Sequence, residues 1–196
     1  MTKNILLVVL EKLLKTAQKS RAKIVIMGGL ATSIFAQPRA TYDIDGIISL
    51  EEEEIKDFLT LLKKAGFRFD PKQPVKFIQG LPFITFYYPR YKTYVDLFVV
   101  KTKFQHEVLR RAKKSKLGKL NLYIISAEDL ILIKLQAGRE KDIEDIRQII
   151  LENSPRLDFV YLGKWAKLLE VDIFLKDELK SLGLKDKIIW KLLIIG

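Results

Sequence analysis

The sequence predicts an α+β fold: a small mixed β-sheet head with helices on one side, followed by a C-terminal helical extension. Three observations lead there. Short strand-type runs (IVIM, ITFYY, TYVDLFVV) alternate with helical segments in the first half. After about residue 104 the apolar spacing becomes mainly helical. No repeat or low-complexity linker interrupts the 196 residues, and 48% hydrophobic content is enough to build a core. We divide the chain into a head, 1–104, and a mostly helical part, 105–196, packed on it.

The elements follow in order. Residues 3–19 place Ile5, Leu6, Val9, Leu13 and Leu14 on one helical side. Lys23 to Met27 reads as a strand ending at Gly28-Gly29, and Leu30 to Ala36 as a helix stopped by Pro38. Thr41 to Ile48 reads as a strand. Ser49 and Glu52 form a capping box for the next helix, whose first turn holds Glu51 to Glu54, where the helix dipole favours negative charge. Lys63, Lys64 and Gly66 close it. Strands are expected at Phe67–Asp70 or Val75–Gln79, then Phe83–Tyr88 and Tyr94–Val100, with a hairpin turn at Pro89-Arg90. Leu120 to Ile125 is one more strand. Ser126 caps a helix over Ala127–Ala137 that Gly138 ends. Helices near Arg139–Glu152, Leu157–Glu170 and Ile173–Leu182 complete the chain.

Composition limits the chemistry. There is no cysteine, which excludes disulfides and thiolate metal sites. A single histidine, His106, argues against zinc held by several imidazoles. Hard metals that take carboxylates remain open. The net charge of +11 fits a polyanionic partner, although lysine-rich surfaces also serve solubility and ion-pair networks. The apolar runs Ile5–Leu10 and Ile188–Ile195 are too short to cross a membrane, so we expect a cytoplasmic protein with no membrane partner; the second run packs on the body or on another subunit.

The chemistry-bearing pattern is ATYDIDGIISL. On a strand Thr41, Asp43 and Asp45 share one face. Two adjacent carboxylates both stay ionised cheaply only if a cation bridges them. Asp96 lies within an apolar run, where a buried carboxylate needs a partner. The three acids together fit one or two divalent ions. Alone, each has a plainer reading: Asp45-Gly46 as a turn, Asp96 paired with Arg90. A calcium loop is disfavoured because Ile48 stands where its glycine belongs. Gly28-Gly29 between strand and helix lets the backbone approach a phosphate, or simply makes a tight turn.

Taken whole, GGLATSIFAQPRATYDID resembles the first motif of the DNA polymerase beta-like nucleotidyltransferase superfamily: strand, Gly-Gly, helix, then Asp-x-Asp. Asp96 matches its third acid on a later strand. SAEDLILIKLQAGREKDIEDIRQII resembles the downstream motifs of the small bacterial and archaeal branch that includes the abortive-infection toxins. The resemblance covers about residues 20–150; residues 155–196 match nothing familiar.

The resemblance implies an Mg²⁺-dependent enzyme, with Mn²⁺ as an alternative ion, that transfers a nucleotide from an NTP to a hydroxyl. Asp43, Asp45 and Asp96 would hold metal, with Asp96 also helping to deprotonate the acceptor. Gly28, Gly29, Arg39 and Thr41 would serve the nucleotide. Lys134, by the match to the toxins, would reach its phosphates; the other reading is a buried lysine that snorkels. Asp142 or Asp145 would join the site, orienting Lys134, unless Lys141 and Asp145 merely form an i,i+4 pair. The charge favours an RNA acceptor, such as tRNA, gripped by the basic run Arg110 to Lys119, and disfavours a polycationic aminoglycoside. A toxin role would imply a cognate antitoxin. The competing function is a catalytically silent module of the same fold that binds nucleic acid or a partner protein.

Overall fold

A computed structural model describes residues 5–38, 40–78 and 80–187. Their contacts divide the chain into two units: 1–31 with 39–125, and 32–38 with 126–196. The expected helix Ile5–Lys19 (α1) opens the first unit, and residues 3 and 4 of its expected span lie outside the described residues.

The first unit is built on one seven-stranded mixed sheet. Its strands are Ile24–Met27 (β1), Ile44–Ile48 (β2), Val75–Ile78 (β3), Leu81–Tyr88 (β4), Thr93–Val99 (β5), Lys113–Leu117 (β6) and Leu120–Ile124 (β7). They lie in the order β3-β4-β5-β2-β1-β7-β6. β2 runs parallel to β5, and β1 parallel to β7; the other neighbours are antiparallel. The sheet therefore retains residues up to Ile125, beyond the boundary expected at 104, because β7 pairs with β1 and the Ile125 amide donates to the Ile26 carbonyl at 3.0 Å.

Period-two alternation sets the two faces of this sheet. One carries Ile44, Ile84, Phe86, Val95 and Leu97, all 1% exposed or less. Helices α1 and Glu52–Lys64 (α3) pack together, and both reach this face's end: Lys12 lies over the Tyr88 ring, and Phe67, just after α3, meets Phe86 edge-on at 5.2 Å. Burying side chains of this size contributes about 1.5–3 kcal/mol each. The opposite face carries Asp45, Asp96 and Thr85.

Several local expectations are corrected. The strand starts at Ile44 rather than Thr41, so Thr41, Tyr42 and Asp43 form its approach. Helix α3 is capped by Glu51 with Glu54, not by Ser49 with Glu52, because the Ser49 hydroxyl accepts the Lys23 amide at 3.0 Å. Of the two expected strand alternatives, β3 forms, and Phe67–Asp70 contributes only the bridge between Arg68 and Tyr87. Helix Lys103–Arg111 (α4) has a Thr102–Gln105 capping box, and the lysine-rich segment after it forms the β6–β7 hairpin. Lys23 donates to the Leu109 carbonyl at 2.5 Å and lies over the Tyr123 ring; burial lowers its pKa.

The second unit is helical. Its main elements are Ala127–Ala137 (α5), Glu140–Asn153 (α6), Phe159–Leu168 (α7) and Asp172–Ser181 (α8). α5 packs on α6 and α7, and α7 on α8. Ser126 caps α5 as expected, accepting the Asp129 amide at 3.1 Å, and Gly138 ends it at φ +62°. Tyr161 of α7 donates to the fully buried Asp129 at 2.5 Å. The small helix Gly28–Phe35 (α2) starts in the first unit and ends in the second, where Asn153 donates to the Phe35 carbonyl at 2.6 Å. The expected apolar tail Ile188–Ile195 lies outside the described residues. No described helix is long and apolar enough to cross a membrane.

Candidate active site

The first unit joins the pieces of the glycine and aspartate motif across three strands. β1 ends at Met27, the register partner of Asp45, and Asp45 is in turn the partner of Asp96. Directly opposed residues point to the same face, so the two carboxylates are lateral neighbours. Gly28 follows Met27 at φ +61°. A Cβ placed there would fall 1.9 Å from Asp45 Oδ2, and one at Gly29 would fall 2.6 Å from the Thr41 hydroxyl. Each glycine therefore admits one polar group of the later motif against the backbone, which a side chain would block. Both glycines lie in the first turn of α2, where backbone amides and the helix dipole suit an anion.

Thr41 is thus brought to Gly29, although it lies outside the strand. Its hydroxyl contacts the Asp43 carbonyl at 3.4 Å. Asp43 is exposed, one residue before β2, so the shared strand face expected for Thr41, Asp43 and Asp45 does not form. Asp96 is only partly buried, contrary to its apolar sequence setting, because it alternates onto the polar face with the exposed Tyr94. Its partner is the Thr85 hydroxyl, donating to Oδ1 at 2.7 Å, rather than Arg90, which packs against the Tyr91 ring. Sequence reading missed Thr85. Its signal was the single polar residue at period two among Phe83, Thr85 and Tyr87.

Among the described residues no three Asp, Glu or His side chains gather into a preformed metal cluster. The donor set still fits a divalent ion of the Mg²⁺ kind. Asp45 and Asp96 offer hard oxygens side by side, and such ions take one or two carboxylates and complete their shell with phosphate oxygens and water.

The other expected site residues lie in the second unit. Lys134 is 4% exposed and donates to Asp142 at 2.9 Å and to Asp145 at 2.6 Å. Arg139 adds a second cation on Asp142, at 2.6 Å. Burial raises the pKa of Asp142, but hydrogen bonds from Arg139 and Lys134 outweigh it and hold the carboxyl below its ordinary value. Where one of Asp142 and Asp145 was expected beside Lys134, both contact it. This makes Lys134 the centre of an internal ion cluster on a helix that is buried almost all round. Arg39 lies outside the described residues.

A family model described as "Nucleotidyltransferase of unknown function (DUF6036)" matches residues 4–181. None of the curated proteins compared matches the chain. Among solved structures, an antigenic nucleotidyltransferase-like protein from Paracoccidioides brasiliensis is 22% identical, with 92% of this chain and 94% of that one covered at a TM-score of 0.50. The antibiotic-resistance factor ANT(2'')-Ia is 14% identical, with 90% and 94% covered at 0.54. The lincosamide antibiotic adenylyltransferase LnuA is 15% identical, with 76% and 96% covered at 0.50. At these identities the likeness concerns the fold.

Proposed function

Because the chain belongs to the DUF6036 family of nucleotidyltransferases, we propose that it transfers a nucleotide from an NTP to a hydroxyl of RNA, with Asp45 and Asp96 at the reacting end. The observation that carries this is the in-register Asp45–Asp96 pair with the Gly28 backbone against Asp45. In the transfer the acceptor oxygen bonds to the α-phosphorus while the bond from that phosphorus to the bridging oxygen breaks. Pyrophosphate leaves with the electron pair, and the hydroxyl proton goes to a base. Asp96, held by Thr85, is our choice of base. The positive end of α2, which begins at Gly28 and Gly29, faces the phosphates, with the Thr41 hydroxyl close to Gly29. Asp45 and Asp96, with Asp43 at the rim, would hold a divalent ion, Mg²⁺ or Mn²⁺, which when bound supplies charge neutralisation on the phosphates. Phosphoryl transfer asks little of a protein beyond positioning and charge.

The RNA acceptor rests on the +11 charge, which also opposes a polycationic acceptor. Such a reaction belongs in the cytoplasm, where NTP and RNA meet. The abortive-infection branch, and a toxin held by an antitoxin, rest on the motif resemblance alone; a harmless overexpressed wild type would remove the toxin role. The direct test is incubation with each α-labelled NTP, Mg²⁺ and total RNA, beside Asp45→Ala and Asp96→Ala. Label entering RNA from wild type and lost in both variants supports the reading. No label in RNA, protein or small molecules would leave the silent binding module as the better account.

A further inference from the structure

Two aromatic rows bracket the acids on the polar face of the sheet. Across neighbouring strands the central row reads Asp45, Asp96, Thr85. Two residues along in one direction, Tyr94 of β5 opposes Tyr87 of β4, and Tyr87 opposes Arg68 through a pair of backbone hydrogen bonds of 2.8 and 2.9 Å. Two residues along in the other, Phe98 opposes Phe83, and Phe83 opposes Lys76 of β3. Each row thus runs aromatic, aromatic, cation, moving away from the acids. Strand geometry puts each row about 7 Å from the central one.

The rows differ in access. Phe83 and Phe98 stack at 5.5 Å and are only partly exposed. Tyr94 is 51% exposed and Tyr87 37%, with their rings 5.7 Å apart and tilted by 35°. Exposed tyrosine rings in the middle of a sheet are poorly explained by folding, which would bury them. Their neighbours are cationic: Arg68 is exposed at the end of the row, and Arg90 and Lys92 are exposed in the turn joining β4 to β5. Between Leu81 and Val99 the only acid is Asp96 itself. Open aromatic faces for bases, beside cations for phosphates, are the chemistry that holds single-stranded nucleic acid without reading its sequence.

We infer that the Tyr94–Tyr87–Arg68 row is the acceptor platform: it stacks the terminal bases of a single-stranded RNA and meets its backbone at Arg68, delivering the RNA end to Asp96. This rests on the RNA-acceptor reading above and adds which surface takes the acceptor. The donor nucleotide is assigned to the glycine side at β1, so the two substrates reach the acid pair from opposite sides across the strands.

The test is fluorescence anisotropy with a 5′-fluorescein-labelled 12-nucleotide oligoadenylate, without NTP, on wild type, Tyr87→Ala/Tyr94→Ala, Tyr94→Ala alone, Tyr87→Phe/Tyr94→Phe and Arg68→Gln. Thermal melting verifies folding; Tyr94→Ala keeps the test open if the double variant is unstable. We expect the double alanine to weaken binding at least about tenfold and the double phenylalanine to remain within about threefold. Arg68→Gln should weaken it severalfold and reduce the slope of log K against log salt by about one. NTP binding, read separately by calorimetry, should not move. Equal RNA binding by wild type and the folded alanine variants, no RNA binding by wild type, or a loss in NTP binding instead would each overturn the platform. RNA binding that depends on the tyrosines, without any transfer, would keep the platform and sink the transferase reading. Label entering a protein, with RNA unbound, would do the reverse.

Discussion

The two units each gather charge, and they treat it in opposite ways. In the sheet unit, Asp45 and Asp96 lie side by side and partly exposed, with aromatic rings and cations beyond them. In the helical unit, Lys134, Asp142 and Asp145 are 4%, 0% and 5% exposed and satisfy one another. Two carboxylates side by side at an accessible surface can take up a cation from solution. A buried cation between two buried anions is already complete, and removing one member strands the others. The first arrangement is suited to a ligand, the second to holding α5 against α6.

That contrast can be broken by experiment. Asp45→Ala should reduce nucleotide transfer about a thousandfold or more, since it removes charge stabilisation at the reacting phosphates. Unchanged transfer in a folded variant would take the chemistry away from the sheet. Lys134→Met should behave in the opposite sense, costing about 3–5 kcal/mol in denaturant unfolding because both buried carboxylates lose the Lys134 ammonium, although Asp142 keeps Arg139. Normal stability with lost activity and weakened NTP binding would instead give Lys134 the phosphate role that the motif resemblance implies.

Thr85→Val sharpens the comparison within the site. It removes one hydrogen bond to a carboxylate, worth about 1.5–3 kcal/mol. A drop in kcat of roughly ten- to a hundredfold, with KM for the NTP unchanged, would mark Thr85 as a positioning residue for Asp96. A change in stability alone would make it structural. The smallest effect is expected from acid. The folded pKa of Asp142 lies below its ordinary value, so below pH ~4 the unfolded chain binds the proton more readily. Its stabilising contribution is complete above the unfolded pKa and is lost as pH falls through the folded one. Asp142→Asn should flatten that part of an unfolding-against-pH curve; an unchanged curve would separate Asp142 from acid stability.

Much of this was legible in the sequence, for a physical reason. Gly28-Gly29, Thr41, Asp45 and Asp96 are residue types that few other backbone settings require, and their pairing follows from strands the periodicity already marked. Capping was read less well. Serine and glutamate both satisfy helix amides, and the choice between Ser49 and Glu51 was made by the Lys23 amide, a partner distant in sequence. The extent of the strand at Asp43 was likewise decided by the neighbour strand, since β2 pairs with β5 only from Ile44 onward. The tyrosine row was hidden because aromatic residues in a strand usually denote core, and only the sheet's exposed face distinguishes Tyr94 from Phe86.

The parallel pairing of β1 with β7 has a consequence for how the molecule is made. Val25 must wait for Tyr123. During synthesis β1, apolar on both sides, can find β2 early, but its second edge stays open until most of the sheet unit has left the ribosome. Such long-range parallel closure is slow and leaves an adhesive edge in the meantime. The glycine turn that follows β1 lies against Asp45 and Thr41, so it can be placed with the early β1–β2 pairing, while the other edge of β1 is covered only when the topology closes.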